Sequence, residues 1–305
     1  MDNLHANLGL FFQRGYYADL KTEDTEDKDS QKKYFDGKNS ELLKSSKINI
    51  PESSDSPGID SFRLETIYPG LITGIGMAHA TGMEGEGKLG MAFDFTSGLP
   101  YIPGSSVKGL LRSVFPFPPK KKPKTQEEKE AAIKLMAEKR RFIKEILKEV
   151  KPENLSADET DALSETEIDD FAKDIFEDGK LKKQANLPSD HKDKNRYDAY
   201  DRDVFFDAQI EGDYQEKGIL AMDFITPHKE ALKNPTPIQF LKIQPKVKFV
   251  FRFKLSDYEM PSGKTISKND KCQLFKAILK TVGIGAKTNV GYGQLKEVNQ
   301  VCQKQ

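Results

Sequence analysis

Residues 283–293 restrict the fold of this chain more than any other segment, because four of these eleven positions are glycine: Gly283, Gly285, Gly291 and Gly293. Glycine adopts backbone conformations closed to other residues and allows a second chain to approach the backbone closely. Between the glycines lie one lysine, two short polar residues and one aromatic residue: Lys287, Thr288, Asn289 and Tyr292. This pattern predicts a tight loop suited to a nucleic acid, although a glycine-rich turn with a surface lysine fits it equally well.

The flanks of this loop exclude a nucleotide-binding P-loop. That motif needs a strand before the loop, a Gly-Lys-Ser/Thr ending and a helix after it, whereas Ala286 separates Gly285 from Lys287 here. Apolar residues at helical spacing precede the loop, and the run 293–298 after it reads as a strand. The negative, C-terminal end of the helix would therefore face the loop, which disfavours a free triphosphate and a Rossmann-type dinucleotide.

The composition predicts a polar, soluble protein. Hydrophobic residues make up 36% of the 305 positions and charged residues 31%, and no apolar run approaches the ~20 residues that cross a bilayer. The start, Met1–His5, has neither the basic region nor the apolar core of a signal peptide, so we expect a cytoplasmic protein without a membrane partner. The cysteines, Cys272 and Cys302, exclude a disulfide scaffold and a cysteine zinc site, and no cofactor or metal is indicated.

The overall net charge of zero conceals two oppositely charged regions. Residues 151–217 contain 20 acidic and 10 basic side chains, whereas residues 241–305 contain 13 basic and 4 acidic ones. Such asymmetry predicts a basic working surface and an acidic appendage. Solvated faces that segregate by chance would give the same pattern.

The clearest strand lies at 246–255, where apolar and mostly basic side chains alternate. One set is Val247, Phe249, Phe251, Phe253 and Leu255, and the other is Lys246, Lys248, Val250, Arg252 and Lys254. A period of two with one apolar side is typical of a half-buried strand in an antiparallel sheet. The basic side is either a nucleic-acid face or protection of a sheet edge by lysine.

The remaining segments divide the chain into three predicted parts. Residues 1–60 are predicted to be a short docking segment (7–20) and a charged loop or partly disordered connector (21–60). Residues 61–305 form the main domain, interrupted at 116–200 by a charged helical insertion. Without the insertion the order is strand, helix, strands, helix, loop and strand. That order fits an α+β fold of the ferredoxin-like, RNA-recognition-motif-like type, an antiparallel sheet with two helices.

A second glycine-bearing element begins at Gly104 and continues into a helix. Ser105 or Ser106 is a natural N-cap, and the free N–H groups at such a helix start attract phosphate. Lys108 and Arg112, four residues apart, would extend this site along one helix face. Solvated surface explains the two cations equally well.

Several short motifs occur in a fixed order along the chain. They are Asn7–Phe12, Ser97–Arg112, Phe205–Ala208, Asn234–Leu241 and Gly283–Leu295. With these motifs and a glycine-rich loop near its C-terminus, the chain resembles the RAMP superfamily of CRISPR proteins. Within that superfamily it is most similar to the sixth-subunit family of the type III-B (Cmr) RNA-silencing complex.

The resemblance implies a non-catalytic subunit that holds the guide (CRISPR) RNA near its 3′ end, with target RNA and other RAMP subunits of the Cmr complex as partners. A guide of any sequence is bound through phosphate contacts and stacking rather than base-edge readout. The residues that would make these contacts are Gly104, Ser105, Ser106, Lys108, Arg112, Gly285, Lys287, Thr288, Asn289 and Tyr292. The cations would meet phosphates, the short polar side chains would donate hydrogen bonds, and Tyr292 would either stack on a base or lock the loop.

Two other functions are compatible with the residues. A RAMP-type endoribonuclease would need a general base or a poised carboxylate near the scissile phosphate. The candidates are His79, expected near the RNA surface, Asp94, and Asp207, whose apolar strand favours a capping or structural role. A protein–protein adaptor with little RNA contact would use the acidic, amphipathic helices of the insertion, which could equally be a solvated decoration.

Overall fold

The structure is a computed structural model that describes residues 7–54, 56–74, 79, 81–88, 90–119, 121–177, 203–226 and 237–298. The helices of this part are α1 (Leu8–Gln13), α2 (Lys28–Ser45), α3 (Gly104–Val114), α4 (Gln126–Val150), α5 (Ala157–Asp161), α6 (Glu165–Phe176) and α7 (Lys268–Val282). The strands are β1 (Asn49–Ile50), β2 (Asp60–Thr66), β3 (Tyr101–Ile102), β4 (Val204–Phe205), β5 (Ala208–Asp213), β6 (Leu220–Ile225), β7 (Ile238–Ile243), β8 (Lys248–Lys254), β9 (Tyr258–Glu259), β10 (Thr265–Ile266) and β11 (Leu295–Glu297). Short 3₁₀ turns lie at Gly15–Tyr17, Thr22–Thr25 and Thr288–Val290.

Helices packed on an antiparallel sheet confirm the predicted α+β class. The main sheet has seven strands in the order β1-β5-β8-β2-β11, with β3 also paired to β5 and β4 to β8. Each of these pairings is antiparallel. Strands β6 and β7 form a separate hairpin, and α3 and α7 contact each other.

Strand β8 forms where the alternation predicts it, because its aromatic side is buried. The buried set is Phe249, Phe251 and Phe253. Phe62 of β2 stacks on Phe251 with 5.4 Å between the ring centroids, and Phe275 of α7 lies 5.4 Å from Phe253. This face therefore carries the helices, while the basic side chains of β8 on the other face stay partly exposed.

The structure contradicts the loop or partly disordered connector predicted over 21–60, because Lys28–Ser45 form helix α2. The carboxylate of Asp27 caps this helix by accepting hydrogen bonds from the N–H groups of Asp29 and Ser30 at 2.8 and 2.9 Å. Such a cap satisfies donors that have no partner within the helix. The charged composition of the segment therefore reflects an exposed helix face rather than disorder.

The buried face of α2 is small and partly polar, which explains why its apolar periodicity is weak. It consists of Phe35, Asn39 and Leu42, spaced about one turn apart. The amide of Asn39 accepts a hydrogen bond from the hydroxyl of Tyr16 at 2.6 Å and donates one to the carbonyl of Gly85 at 3.0 Å. Tyr16, which belongs to the segment predicted to dock at 7–20, is buried, so this segment packs against α2 through the bond to Asn39.

The helical insertion predicted at 116–200 packs against the main body over its described part. Helices α4 and α6 add side chains to the same core as the sheet, among them Ile143, Ile146, Leu147, Ile168, Phe171 and Ile175. The guanidinium of Arg140 on α4 donates two hydrogen bonds to the carboxylate of Asp169 on α6, at 2.9 and 2.7 Å. Residues 178–200 of the predicted insertion and 234–236 of one sequence motif lie outside the described residues.

The segment that follows β2 connects the sheet to the glycine-rich loop. Leu71 forms an antiparallel bridge with Ile243 at the end of β7, and β11 pairs with β2. Helix α7 precedes the loop and β11 follows it, which confirms the predicted helix–loop–strand order. The loop therefore lies where α7, the β6–β7 hairpin and the end of β2 meet.

Candidate nucleic-acid interface

The glycine-rich loop is closed at its base by backbone hydrogen bonds. The N–H of Gly283 donates to the carbonyl of Leu279 at the end of α7 at 3.0 Å, and the N–H of Ile284 donates to the carbonyl of Gly293 at 2.9 Å. A Cβ added at Gly293, where φ is +74°, would lie 1.8 Å from the carbonyl oxygen of Ile284. Only glycine fits this position.

The loop is also held against the chain that follows β2. The N–H of Gly293 donates to the carbonyl of Gly70 at 2.8 Å, and the N–H of Ala286 donates to the carbonyl of Ile72 at 2.9 Å. A Cβ at Gly285 would lie 2.4 Å from the same Ile72 oxygen. Gly285 therefore permits the close approach of the two segments, and the base of the loop is rigid.

Tyr292 lies inside the loop rather than on its surface. The residue is only 9% exposed, its ring centroid lies 6.0 Å from that of Phe240, and its hydroxyl donates to Oδ2 of Asp223 at 2.7 Å. Burial is the main cause of the raised pKa of Tyr292, and the hydrogen bond to Asp223 is the second. The hydroxyl therefore remains protonated and acts as a donor. Of the two roles left open for Tyr292, the structure supports locking the loop, because so enclosed a ring offers no face to a base.

The tip of the loop is polar and cationic. Lys287 has a left-handed backbone conformation (φ 60°) and leads into the 3₁₀ turn Thr288–Val290. Within the described part of the chain, no carboxylate pairs with Lys287 and no acceptor receives the N–H groups of Thr288 and Asn289. A free cation beside free N–H groups is an arrangement that binds an anion such as phosphate. The structure thus brings the three predicted residues together at the tip.

Helix α3 begins differently from the prediction. Its N-cap is Pro103, which has no side chain that can cap, so the predicted cap by Ser105 or Ser106 is wrong; both serines lie exposed in the first turn. The carboxylate of Asp207 instead accepts a hydrogen bond from the N–H of Gly104 at 2.7 Å. A carboxylate at the positive end of the helix already supplies the negative charge that a phosphate would bring. This helix start is therefore less suited to RNA than its sequence indicates.

The two predicted cations of α3 have local partners. Arg112 forms an ion pair with Glu177 at 3.1 Å, and its guanidinium lies 3.8 Å from the ring centroid of Phe117. The ammonium nitrogen of Lys108 lies 5.6 Å from the ring centroid of Phe205. The guanidinium of Arg112 is therefore paired with Glu177, at the end of the part of the insertion that the structure describes. Lys108, in contrast, has no carboxylate partner among the residues that the structure describes.

The loop and α3 are linked through a third segment. The N–H of Ala286 donates to the carbonyl of Ile72, and the hydroxyl of Thr73 donates to the carbonyl of Tyr101, shortly before α3, at 3.1 Å. No hydrogen bond, ion pair or ring contact joins the loop directly to α3 within the described ranges. Residues 72–73 therefore lie between the glycine-rich loop and the segment that leads into α3, and the loop and α3 do not form one continuous surface.

His79, the predicted general base, is enclosed. It is 3% exposed, its ring nitrogens lie 2.8 Å from the carbonyl oxygen of Phe12 and 3.1 Å from that of Gly87, and its ring stacks on Tyr16 at 4.5 Å. Burial lowers the pKa of His79. The expectation that His79 lies near an RNA surface is wrong, because the docked N-terminal segment covers it.

The two candidate carboxylates hold backbone groups in place. Oδ1 of Asp94 accepts hydrogen bonds from the N–H and the hydroxyl of Ser97 at 2.7 and 2.8 Å, and these bonds lower the pKa of Asp94. Asp207 caps α3, so the capping role favoured for it is confirmed. Both carboxylates therefore have structural partners.

Two exposed residues near the end of β2 are not among the predicted site residues: Tyr68, and Lys246 of the predicted strand 246–255. Tyr68 is 83% exposed and lies two positions before Gly70, which accepts a hydrogen bond from the loop. Lys246 is exposed, and its N–H donates to the carbonyl of Thr66 at 2.7 Å. The signal that could have found Tyr68 is the sequence Tyr-Pro-Gly at 68–70, which predicts a turn directly after a strand. Lys246 belongs to the basic side of the strand predicted at 246–255.

Two further findings concern the described residues only. None of their helices is long and apolar enough to cross a membrane. They also contain no group of three or more His, Cys, Asp or Glu side chains placed to hold a metal ion.

Comparisons with known proteins identify one family. The model of the RAMP superfamily matches residues 63–296, whereas a search of curated proteins finds no match. Among solved structures, the chain is similar to one in the cryo-EM structure of the Type III-B Cmr-beta bound to cognate target RNA, with 20% identity, a TM-score of 0.39, and coverage of 94% of this chain and 71% of that chain. It is also similar to the crystal structure of Cmr6 from Pyrococcus furiosus, with 18% identity, a TM-score of 0.40, and coverage of 80% of this chain and 100% of that chain.

Proposed function

The chain belongs to the RAMP superfamily, and from this premise we propose that it is a non-catalytic RNA-binding subunit of a CRISPR type III-B (Cmr) effector complex. In this role it holds the guide RNA near its 3′ end for silencing of a target RNA, with other RAMP subunits as neighbours. The assignment to the Cmr complex rests on the order of the sequence motifs. RNA binding rests on the tip of the glycine-rich loop.

The loop tip is the observation that carries the proposal. Lys287 has no carboxylate partner among the described residues, and beside it the N–H groups of Thr288 and Asn289 have no acceptor there. Such groups recognise the phosphate–ribose backbone, which is the same for every guide sequence. Because the base of the loop is already fixed by hydrogen bonds and by Tyr292, little ordering free energy is lost when RNA binds.

We also propose that β2, α3, β5, β8, α7 and β11 form a ferredoxin-like unit of the RNA-recognition-motif type. Support comes from the neighbour order β5-β8-β2-β11 in the sheet, which is the order of that fold's four strands. On this proposal, residues 61–305 are the RAMP domain, the segment 116–200 is an insertion into it, and residues 1–60 dock on its surface.

The non-catalytic part of the proposal rests on the partners of the candidate acid–base residues. His79 is covered by the docked N-terminal segment, Asp94 organises a turn, and Asp207 caps a helix. Each residue thus has a structural role that accounts for it without chemistry on RNA.

The test is RNA binding by the purified full chain, measured by fluorescence anisotropy over a range of salt concentrations. We expect binding of single-stranded RNA without cleavage. Lys287→Ala should weaken binding and reduce the slope of log affinity against log salt by about 0.7, the value for one lost phosphate contact to a single strand. The control is Lys173→Ala, which removes a surface lysine of α6 that pairs with Asp170 and should change neither quantity.

Two outcomes would replace the proposal. Cleavage of the RNA that disappears in His79→Ala or Asp94→Ala would identify an endoribonuclease. Binding to other RAMP subunits together with no binding to RNA would identify a protein–protein adaptor.

A further inference from the structure

Tyr68 is exposed in a place where the backbone is fixed. The residue is 83% exposed, although an aromatic ring usually finds a buried contact. The N–H of Ile67 donates to the carbonyl of Gln294 at 3.1 Å, and the carbonyl of Gly70 accepts the N–H of Gly293 at 2.8 Å. The chain is therefore tied to the end of the glycine-rich loop on both sides of Tyr68, and its exposure is not the result of a loose segment.

The chain segment that carries Tyr68 lies against the loop tip. A Cβ added at Gly291 would be 3.5 Å from Cδ of Pro69, which places the residue next to Tyr68 against the tip. Val290, the residue before Gly291, is 60% exposed. Tyr68 and Val290 are thus two exposed residues whose chain neighbours, Pro69 and Gly291, lie against each other.

Two lysines in the segments next to Tyr68 and Val290 have no carboxylate partner in the described ranges. Lys287 stands at the loop tip, and the exposed Lys246 is hydrogen-bonded through its N–H to Thr66, two residues before Tyr68. Lys296 on the neighbouring strand β11 differs, because it pairs with Glu65 at 2.8 Å. Tyr68 is therefore an exposed aromatic residue on a segment that is hydrogen-bonded to two lysine-bearing segments. Aromatic rings and cations together make up a single-stranded nucleic-acid site, in which bases stack on the ring and phosphates meet the cations.

We propose that Tyr68 is a base-stacking platform for single-stranded RNA, with Lys246 and Lys287 as its phosphate ligands. This inference rests on the proposed function and deepens it, since it adds a base contact that the enclosed Tyr292 does not provide. Stacking accepts any base because each base has a π face, so the platform suits a guide of variable sequence. The free N–H groups at the loop tip favour RNA over an apolar protein partner, since they need acceptors such as phosphate or ribose oxygens.

The absence of tryptophan from the chain allows a direct test. Tyr68→Trp introduces a single indole reporter into the full chain. It is titrated with a single-stranded RNA and with an abasic oligonucleotide of equal length and charge. We expect the RNA to quench the indole emission, whereas the abasic chain binds through the lysines and leaves the emission unchanged. Phe95→Trp is the control, because Phe95 is 96% exposed and lies in a turn outside the platform, so neither ligand should affect it.

Affinity measurements with side-chain truncations complete the test. Tyr68→Ala should weaken RNA binding about 5- to 150-fold, the loss expected for one base–aromatic stack, while abasic binding stays unchanged and Tyr68→Phe retains wild-type affinity. Lys246→Ala should weaken the binding of both ligands. Phe95→Ala should leave both unchanged.

RNA binding by the wild type and by Tyr68→Ala separates a failure of the stacking platform from a failure of the proposed function. If the wild type binds RNA and Tyr68→Ala binds it equally well, the platform is wrong and the proposed function stands. If Tyr68→Ala instead loses only a protein partner, Tyr68 is a protein contact and the inference is overturned. If the wild type binds no RNA, the proposed function fails, and the inference fails with it.

Discussion

The two elements that the sequence predicts to bind RNA, the glycine-rich loop and the start of α3, differ in what surrounds their polar groups. At the loop tip, Lys287 has no carboxylate partner within the described part of the chain. At α3, the N–H of Gly104 is bound by Asp207 and Arg112 is paired with Glu177. Residue type and spacing therefore identify a candidate anion site. Whether its N–H groups and cations are available to an anion depends on carboxylates that are distant in sequence.

The rigidity of the loop base is tested most severely by Gly293→Ala. The new Cβ would lie 1.8 Å from the carbonyl oxygen of Ile284, at a φ of +74° that alanine adopts poorly. We expect the free energy of unfolding to fall by about 3 kcal/mol or more, as for a strained backbone combined with a steric clash. Urea unfolding measures this change.

The matched control for that substitution is Gly109→Ala on α3. Nothing lies within 4 Å of a Cβ added there, so alanine should raise the stability by about 0.5–1 kcal/mol through its helix preference. Equal effects at Gly109 and Gly293 would show that the loop base is not constrained as described.

Tyr292→Phe removes the hydroxyl that locks the loop to Asp223 at 2.7 Å. Hydrogen bonds to charged groups contribute about 1.5–3 kcal/mol. We expect a loss near the lower end of this range, because Asp223 keeps its ion pair with Lys242. Chemical denaturation of the wild type and the variant gives the difference.

The pH dependence of stability checks the same bond. Burial acts to raise the pKa of Asp223, but hydrogen bonds from Lys242 and Tyr292 outweigh it and lower the pKa below its ordinary 3.8. A lowered pKa in the folded state stabilises the protein above pH 3.8 and loses this effect as the pH falls through the lowered value. Tyr292→Phe should therefore show a shallower loss of stability in acid, and an unchanged acid profile would contradict the lock.

The cap of α3 is tested by Asp207→Ala. Loss of an N-terminal carboxylate cap should lower the stability by about 1 kcal/mol, measured by thermal unfolding, and should not weaken RNA binding. If the start of α3 held a phosphate, removal of this carboxylate would instead raise the RNA affinity severalfold. That result would place RNA at the helix start.

Sequence periodicity predicted the elements whose apolar faces are regular. Strand β8 lies within the predicted segment 246–255, and α7 includes the apolar residues whose helical spacing precedes the loop. Both were predictable because most of the side chains that they bury are apolar. Helix α2 was missed because its buried face includes Asn39, whose polar groups are satisfied by Tyr16 and Gly85 from other parts of the chain. Only the tertiary structure supplies such partners.

The candidate site was predictable in its residue types and not in its exposure. Glycines at 283–293 indicated a close approach of backbones, and the structure shows it at Gly285 and Gly293. Tyr292 and Tyr68 are both tyrosines near this loop, yet the first is 9% and the second 83% exposed. The difference arises from Asp223 and Phe240, which lie more than 50 residues before Tyr292 in the chain.

The measurement that tests the central claim most directly is the RNA affinity of Lys287→Ala and Arg112→Ala, determined side by side over a range of salt concentrations. One exposed charge contact contributes about 0.2–1 kcal/mol. We therefore expect Lys287→Ala to weaken binding by up to about fivefold at low salt and to reduce the salt slope, whereas Arg112→Ala retains the affinity and slope of the wild type. Weaker binding by Arg112→Ala together with unchanged binding by Lys287→Ala would contradict the assignment of the RNA contact to the loop.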